Sequence, residues 1–266
     1  MAQRSKCWRF VAEMDADVAL LQEASAPTCP LPPHFDLDDE QPWRTAAGKR
    51  NWRTAIVGLS PEVKLERVPT KPLAEAGEGD LGVSLAGTIS VAHVEHPSLG
   101  GRVTLVSMYA GWQRPHPSAG GRWIIADAAA HRLISDISSL IGSEQNHRII
   151  AAGDLNCLHG YGDEGKEYWA RRYHTIFDRF EAIGLAFVGP QFPGGRQASP
   201  WPDELPPTSK NVPTRHTPKQ GPAGATRQLD FVFASHGLAP QVQVRALNEV
   251  DAWGPSDHCR VEIVVG

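Results

Sequence analysis

Polar and apolar positions alternate along this chain in short, distinct registers. Residues 5–16 place Trp8, Val11 and Ala12 at helical spacing, and DVALLQE follows as an apolar run ending in a carboxylate. The pattern predicts a helix feeding a strand. WRTAIVGLS reads as a strand after a Pro-rich, acidic loop over residues 26–50. GTISVAHVEH and RVTLVSMYA form a hairpin, because PSLGG between them supplies Pro and two Gly for the turn. In RWIIADAAAHRLISDISSLI, Ile124, Ala128, His131, Ile134 and Ile137 fall near one face, which predicts an amphipathic helix before the strand HRIIAAGDLN. A second helix spans Glu167 to Ile183 and stops at Gly184. RQLDFVFAS and CRVEIVV then read as strands flanking the loop LNEVDAWGPSDH.

Between Gly189 and Gln228 the chain is crowded with Pro and Gly and carries Trp201, Lys210, Arg215, His216, Lys219 and Arg227. A segment of that length either covers a site or is a flexible insert. Strands with intervening helices, including an antiparallel hairpin, indicate a mixed α/β domain, with no internal repeat and no heptads.

The chain has 266 residues, enough for one large domain over 1–266 with the insert at about 189–228. With 26 Lys plus Arg against 30 Asp plus Glu, the formal charge of -4 offers no global basic field for nucleic acid, so any such contact is local or assisted by a cation. The four cysteines form no C-x-x-C pair, which argues against a zinc ribbon and a disulfide framework. No apolar run is long enough to span a bilayer. A cytoplasmic monomer without a membrane partner is the simplest expectation.

Four carboxylates sit at or beside the ends of apolar strands: Glu23 after DVALLQ, Asp154 after IIAAG, Asp230 in RQLDFVF and Asp257 before CRVEIVV. Strand ends on one rim of a sheet converge, so residues far apart in sequence can meet there. Hard divalent cations take oxygen donors and only one or two protein carboxylates, a role that suits Glu23 and Asp257. His258, beside Asp257, is suited to exchange a proton near neutral pH, and Asp230 is the candidate to orient its ring. Each residue also has a plain reading: Glu23 as a solvated strand end, Tyr109 as a core aromatic, Asp230 as a structural acceptor, GDLN as a polar turn.

Taken together, LLQE, VSMYA, GDLN, LDFVFAS and SDH occur in the order seen in the endonuclease/exonuclease/phosphatase superfamily, which the chain resembles from about Asp15 to its end. That group comprises the DNase I-like and exonuclease III-like metal-dependent phosphoesterases. The resemblance implies an α/β fold, a four-layer sandwich of two mixed β-sheets with flanking helices. It implies Mg²⁺ or Mn²⁺ as cofactor, held by Glu23 and Asp257. It further implies that Asp154 positions or deprotonates the attacking water, Asn156 holds a phosphate oxygen, Tyr109 contacts the phosphate or leaving oxygen, and His258, supported by Asp230, stabilises the transition state. The expected substrate is nucleic acid or another phosphate ester.

Two features depart from the family pattern. Members usually begin with a strand carrying Asn before the helix that leads to the metal-binding Glu, whereas seven residues without Asn precede Trp8. Either the sequence starts late or the domain lacks one central strand. Many relatives place Pro-Asn after the hairpin Tyr, where this chain has Tyr109, Ala110, Gly111 and Trp112, leaving Gln113 or Arg114 to supply that contact. A metal-dependent phosphodiesterase, most simply a nuclease, is the leading expectation. The alternatives are a phosphatase acting on a small or lipid-linked phosphate, and a catalytically impaired binding domain lacking the first strand.

Overall fold

The computed structural model describes residues 2–45, 50–119, 125–142 and 146–266. Helix α1 (Ala2–Ala12) leads into β1 (Val18–Ala24), followed by β2 (Asp36–Leu37), β3 (Arg53–Gly58), β4 (Lys64–Val68), β5 (Thr70–Pro72) and β6 (Leu81–Val83). The predicted hairpin is β7 (Ile89–Glu95) and β8 (Val103–Tyr109), paired antiparallel. Next come α2 (Asp127–Ile137), β9 (Ile149–Asp154), α3 (Glu167–Ala182) and β10 (Leu185–Gly189), then β11 (Asp230–Ser235), β12 (Val242–Leu247) and β13 (Arg260–Val265). Helix α2 begins at Asp127; Ile124 lies outside the described residues.

The principal sheet has six strands in the order β10-β11-β9-β8-β7-β4. It is mixed, because β8 and β9 run parallel while the other neighbours are antiparallel. Period-two alternation sorts its side chains. Ile149, Ala151, Phe231 and Phe233 point to the face covered by α2 and α3, while Ile150, Ala152, Val232 and Ala234 point to the opposite face. There they meet Leu20 of β1 and Val261, Ile263 and Val265 of β13. On β1 the same alternation turns Ala19 and Leu21 outward against Trp8 and Val11 of α1. The order of layers is therefore α2 and α3, the six-stranded sheet, a second sheet, and α1.

That second sheet lies in two antiparallel pieces, β1-β3-β2 and β12-β13. Among the described residues no strand precedes α1, and no ladder joins β1 to β13. Each of those two strands is paired along one edge only, and their residues are mostly half-buried, whereas β3, β9 and β11 are buried throughout. Among the described residues no helix is long and apolar enough to cross a membrane.

The segment over residues 190–228 is packed into the fold. Val212, Thr214, Ala225 and Gln228 are buried, and the amide of buried Asn248 donates to the Arg196 and Pro213 carbonyls. Trp201 packs partly against the main core and donates its indole N–H to the Leu205 carbonyl.

Candidate active site

Five strand ends meet on one rim. Tyr109, Asp154 and Asp230 are direct neighbours across β8, β9 and β11, since Tyr109 pairs with Asp154 and Asp154 with Asp230. Gly153, next to Asp154, is required by a close approach: a Cβ there would lie 1.9 Å from the Met108 carbonyl oxygen. That contact explains why the apolar run IIAA ends in Gly before the carboxylate appears.

Asp154 is buried. Its Oδ1 accepts the Asn156 backbone N–H at 2.9 Å and its Oδ2 accepts the Asn156 side-chain amide at 2.9 Å. Asn156 has φ +49°, a left-handed conformation that Asn tolerates. Its amide also donates to the Ala110 carbonyl at 3.1 Å, so both amide hydrogens are committed inside the protein. Asn156 therefore orients Asp154, and the amide donors expected to hold a phosphate oxygen are already spent.

His258 Nδ1 donates to Asp230 Oδ2 at 2.8 Å, and Nε2 lies 4.0 Å from Asp154 Oδ2. Burial alone would lower the imidazole pKa, but the Asp230 carboxylate and its hydrogen bond, with Asp154 and Asp257 beyond, outweigh burial and raise it. Burial raises the Asp154 pKa, against the pull of His258 and the Asn156 amide. The three groups lie within 4.8 Å of one another, yet the short His258–Asp230 bond and the raised imidazole describe a protonated relay better than a set of metal donors.

A strut that sequence reasoning missed holds this relay. Thr214 Oγ1 accepts the backbone N–H of Leu229 and of Asp230 at 3.0 and 3.1 Å, while its carbonyl accepts the Cys259 N–H at 2.9 Å. Arg215 bridges to Arg227 and to His258, and the His216 N–H donates to the Asp257 carbonyl at 3.0 Å. Residues 214–216 thus tie β11 to the approach of β13. The only local signal is an unremarkable PTRH.

Glu23 is brought to the rim by a β-bulge. Between the pairs Leu21–Ala55 and Ala24–Arg53 two residues, Gln22 and Glu23, oppose Thr54 alone. Glu23 takes φ +49°. Ser107 anchors the bulge to β8 by donating to the Leu21 carbonyl and accepting from the Gln22 amide, each at 2.9 Å. The Tyr109 hydroxyl faces Glu23, and burial followed by that carboxylate pushes its pKa up. Trp52 packs edge-on against the Tyr109 ring with centroids 4.8 Å apart.

Glu23 and Asp257 are exposed, and each is about half accessible in its side chain. Both offer hard oxygen donors beside the relay and are close enough to act on it electrostatically, Glu23 on Asp154 and Asp257 on His258. That donor chemistry fits Mg²⁺ or Mn²⁺.

A hairpin ending in Tyr109, a parallel strand ending in Asp154 and a returning pair bearing Asp230 and His258, all within a four-layer sandwich, decide the architecture. The chain has the fold of the endonuclease/exonuclease/phosphatase superfamily. It is similar to the AP endonuclease LMAP from Leishmania major, with TM-score 0.60 and 14% identity over 99% of this chain and 82% of that one. It is also similar to the endonuclease domain of TRAS1, a telomere-specific non-LTR retrotransposon, with TM-score 0.59 and 15% identity over 99% and 94%. A third structure is a mannosyl-6-phosphatase from Bacteroides thetaiotaomicron, with TM-score 0.50 and 15% identity over 99% and 91%. No protein-family model and no curated protein sequence matches the chain. At these identities the likeness establishes the DNase I-like fold, and the chemistry rests on the residues at the rim.

Other residues settle into structural roles. The His159 ring packs 4.1 Å from Phe177 and 4.7 Å from Phe187, and burial lowers its pKa to about 4. His93 bonds Thr104 and His96 bonds Ser98. The Arg172 Nε donates to buried Asp127 at 2.7 Å.

Proposed function

We propose that this chain is a divalent-metal-dependent phosphodiester hydrolase, most simply a nuclease. The observation that carries the reading is the relay Asp230–His258–Asp154 set between two exposed carboxylates, Glu23 and Asp257, on one rim. Phosphate-ester hydrolysis asks for an aligned water and for compensation of charge on the phosphoryl oxygens. Glu23 and Asp257 would hold Mg²⁺ or Mn²⁺, which supplies Lewis-acid stabilisation of those oxygens. Asp154, with both oxygens fixed by Asn156, is placed to orient the water. His258, held protonated by Asp230, is placed to donate to a phosphoryl oxygen through Nε2. Tyr109 faces Glu23 from the opposite side and would contact the ester or its leaving oxygen.

A phosphatase acting on a small phosphate is the second reading, favoured by the net charge of -4, which gives no extended basic surface for a polyanion. Hydrolysis of plasmid DNA, single-stranded DNA, RNA and simple mono- and diesters, with Mg²⁺ or Mn²⁺ and with chelator, separates the two. Metal-dependent diester cleavage is expected. Cleavage that survives chelation, or turnover of monoesters alone, would overturn the nuclease assignment.

A further inference from the structure

The two exposed carboxylates of the rim are each faced by an arginine. Arg50 Nη1 lies 3.8 Å from Glu23 Oε1, and Arg215 Nε lies 3.8 Å from Asp257 Oδ2. Both separations exceed hydrogen-bond length. Among the described residues neither guanidinium donates a hydrogen bond, although Arg50 also leans over Trp52 at 5.7 Å. Other arginines of the fold are committed: Arg227 to Asp163 at 3.0 Å, Arg172 to Asp127, and Arg196 to the 248 region. Loose, solvent-accessible pairs of this length contribute little and exchange easily.

The chain beneath each of these loose heads is nevertheless fixed. The Arg50 carbonyl accepts the Thr45 N–H, and Arg50 stands two residues before Trp52, which packs on Tyr109. Arg215 is bridged on both sides, to Arg227 and to His258. Two anchored but uncommitted guanidiniums therefore flank the relay.

Charge balance gives them a task. Four carboxyl side chains, Glu23, Asp154, Asp230 and Asp257, gather around a single histidine at this rim, in a protein whose net charge is already -4. A phosphate anion cannot approach that set without further cations. A divalent ion at Glu23 and Asp257 takes over the carboxylate charge that Arg50 and Arg215 now face. The planar guanidinium fork matches two phosphate oxygens.

We propose that Arg50 and Arg215 are the phosphate-binding residues of this site, held in reserve by Glu23 and Asp257 and released onto the substrate's phosphate when a divalent cation occupies those carboxylates. The proposal rests on the phosphoesterase reading and adds a coupling to it: cation and phosphate each strengthen the other's binding, reciprocally.

Isothermal titration of the full chain with Mn²⁺ alone, and with thymidine 5′-monophosphate in the presence and absence of Mn²⁺, tests this. In the wild-type protein saturating Mn²⁺ should tighten nucleotide binding about tenfold or more. R50A and R215A should bind Mn²⁺ alone several-fold more tightly, because a competing cation is gone, and should each lose about tenfold in nucleotide affinity with Mn²⁺ present. R50K and R215K should recover only part of that loss, since lysine keeps the charge without the fork. Arg50 is exposed and Arg215 half-buried, and equal thermal melts would confirm that the variants fold. Nucleotide affinity within twofold of wild type in both alanine variants, or weaker Mn²⁺ binding in both, would overturn the proposal while leaving a metal-binding phosphoesterase standing. Failure of wild-type protein to bind Mn²⁺ would instead remove the underlying reading, and this proposal with it.

Discussion

Gly153 shows how one residue can serve both sheet and site. Its missing side chain lets β9 pass against Met108 of β8 and delivers Asp154 to the rim in register with Tyr109. Gly153→Ala should break that register and cost several kcal/mol, as overpacking against rigid backbone does, read as a drop in urea midpoint. His258 is the second pivotal residue. Asp230→Asn should lower its raised pKa, move the alkaline limb of the activity profile to lower pH, and reduce kcat by about 10². An unshifted profile would mean that Asp230 only packs. The stability effect has a defined sign. With the folded-state pKa raised above 6.5, the stabilisation is complete below that value and is lost as pH rises through the folded one. Asp154→Ala and His258→Ala should each reduce diester cleavage by about 10²–10⁴ while the variants still melt cooperatively.

At the level of elements, the contact between α3, β10 and β11 is an aromatic cluster with a histidine inside it. Phe177, Phe187 and Phe231 surround His159, and burial holds its pKa near 4. The imidazole is neutral in the folded protein but protonates near 6.5 when unfolded, so stability should fall as pH drops from about 6.5 to about 4, by up to about 3 kcal/mol. Denaturant titrations of wild type and His159→Phe at pH 7 and pH 5 check this; an undiminished pH effect in the variant would place the cause elsewhere. The 214–216 strut makes a parallel claim. Thr214→Val removes the acceptor shared by the Leu229 and Asp230 amides, and should cost about 1–3 kcal/mol and loosen the His258–Asp230 pair.

Over the whole molecule, the six-stranded sheet and its covering helices are continuous, while the second sheet is divided between β1 and β13. Both sides of that division carry a metal candidate, Glu23 after the β1 bulge and Asp257 just before β13. Their spacing therefore depends on packing against the principal sheet and on Ser107, without a shared ladder to hold it. Glu23 and Asp257 stand on opposite sides of that division, so Mn²⁺ held by both should raise the melting temperature by several degrees and E23Q should abolish the gain.

Much of this was legible along the chain because strand ends carry their own markers. An apolar run closing on Gly-Asp or Gln-Glu, or one preceded by Ser-Asp-His, identifies Asp154, Glu23 and His258 as rim residues, and unbroken apolar runs mark β9 and β11 as interior strands of a sheet. Local sequence could not reveal that Asn156 spends its amide on Asp154 and Ala110, that Thr214 ties Asp230 to the segment before β13, or that His159 is enclosed by three phenylalanines from separate elements. Each of those facts depends on a hydrogen bond or ring contact between residues distant in sequence, and such partners are chosen only when the layers close.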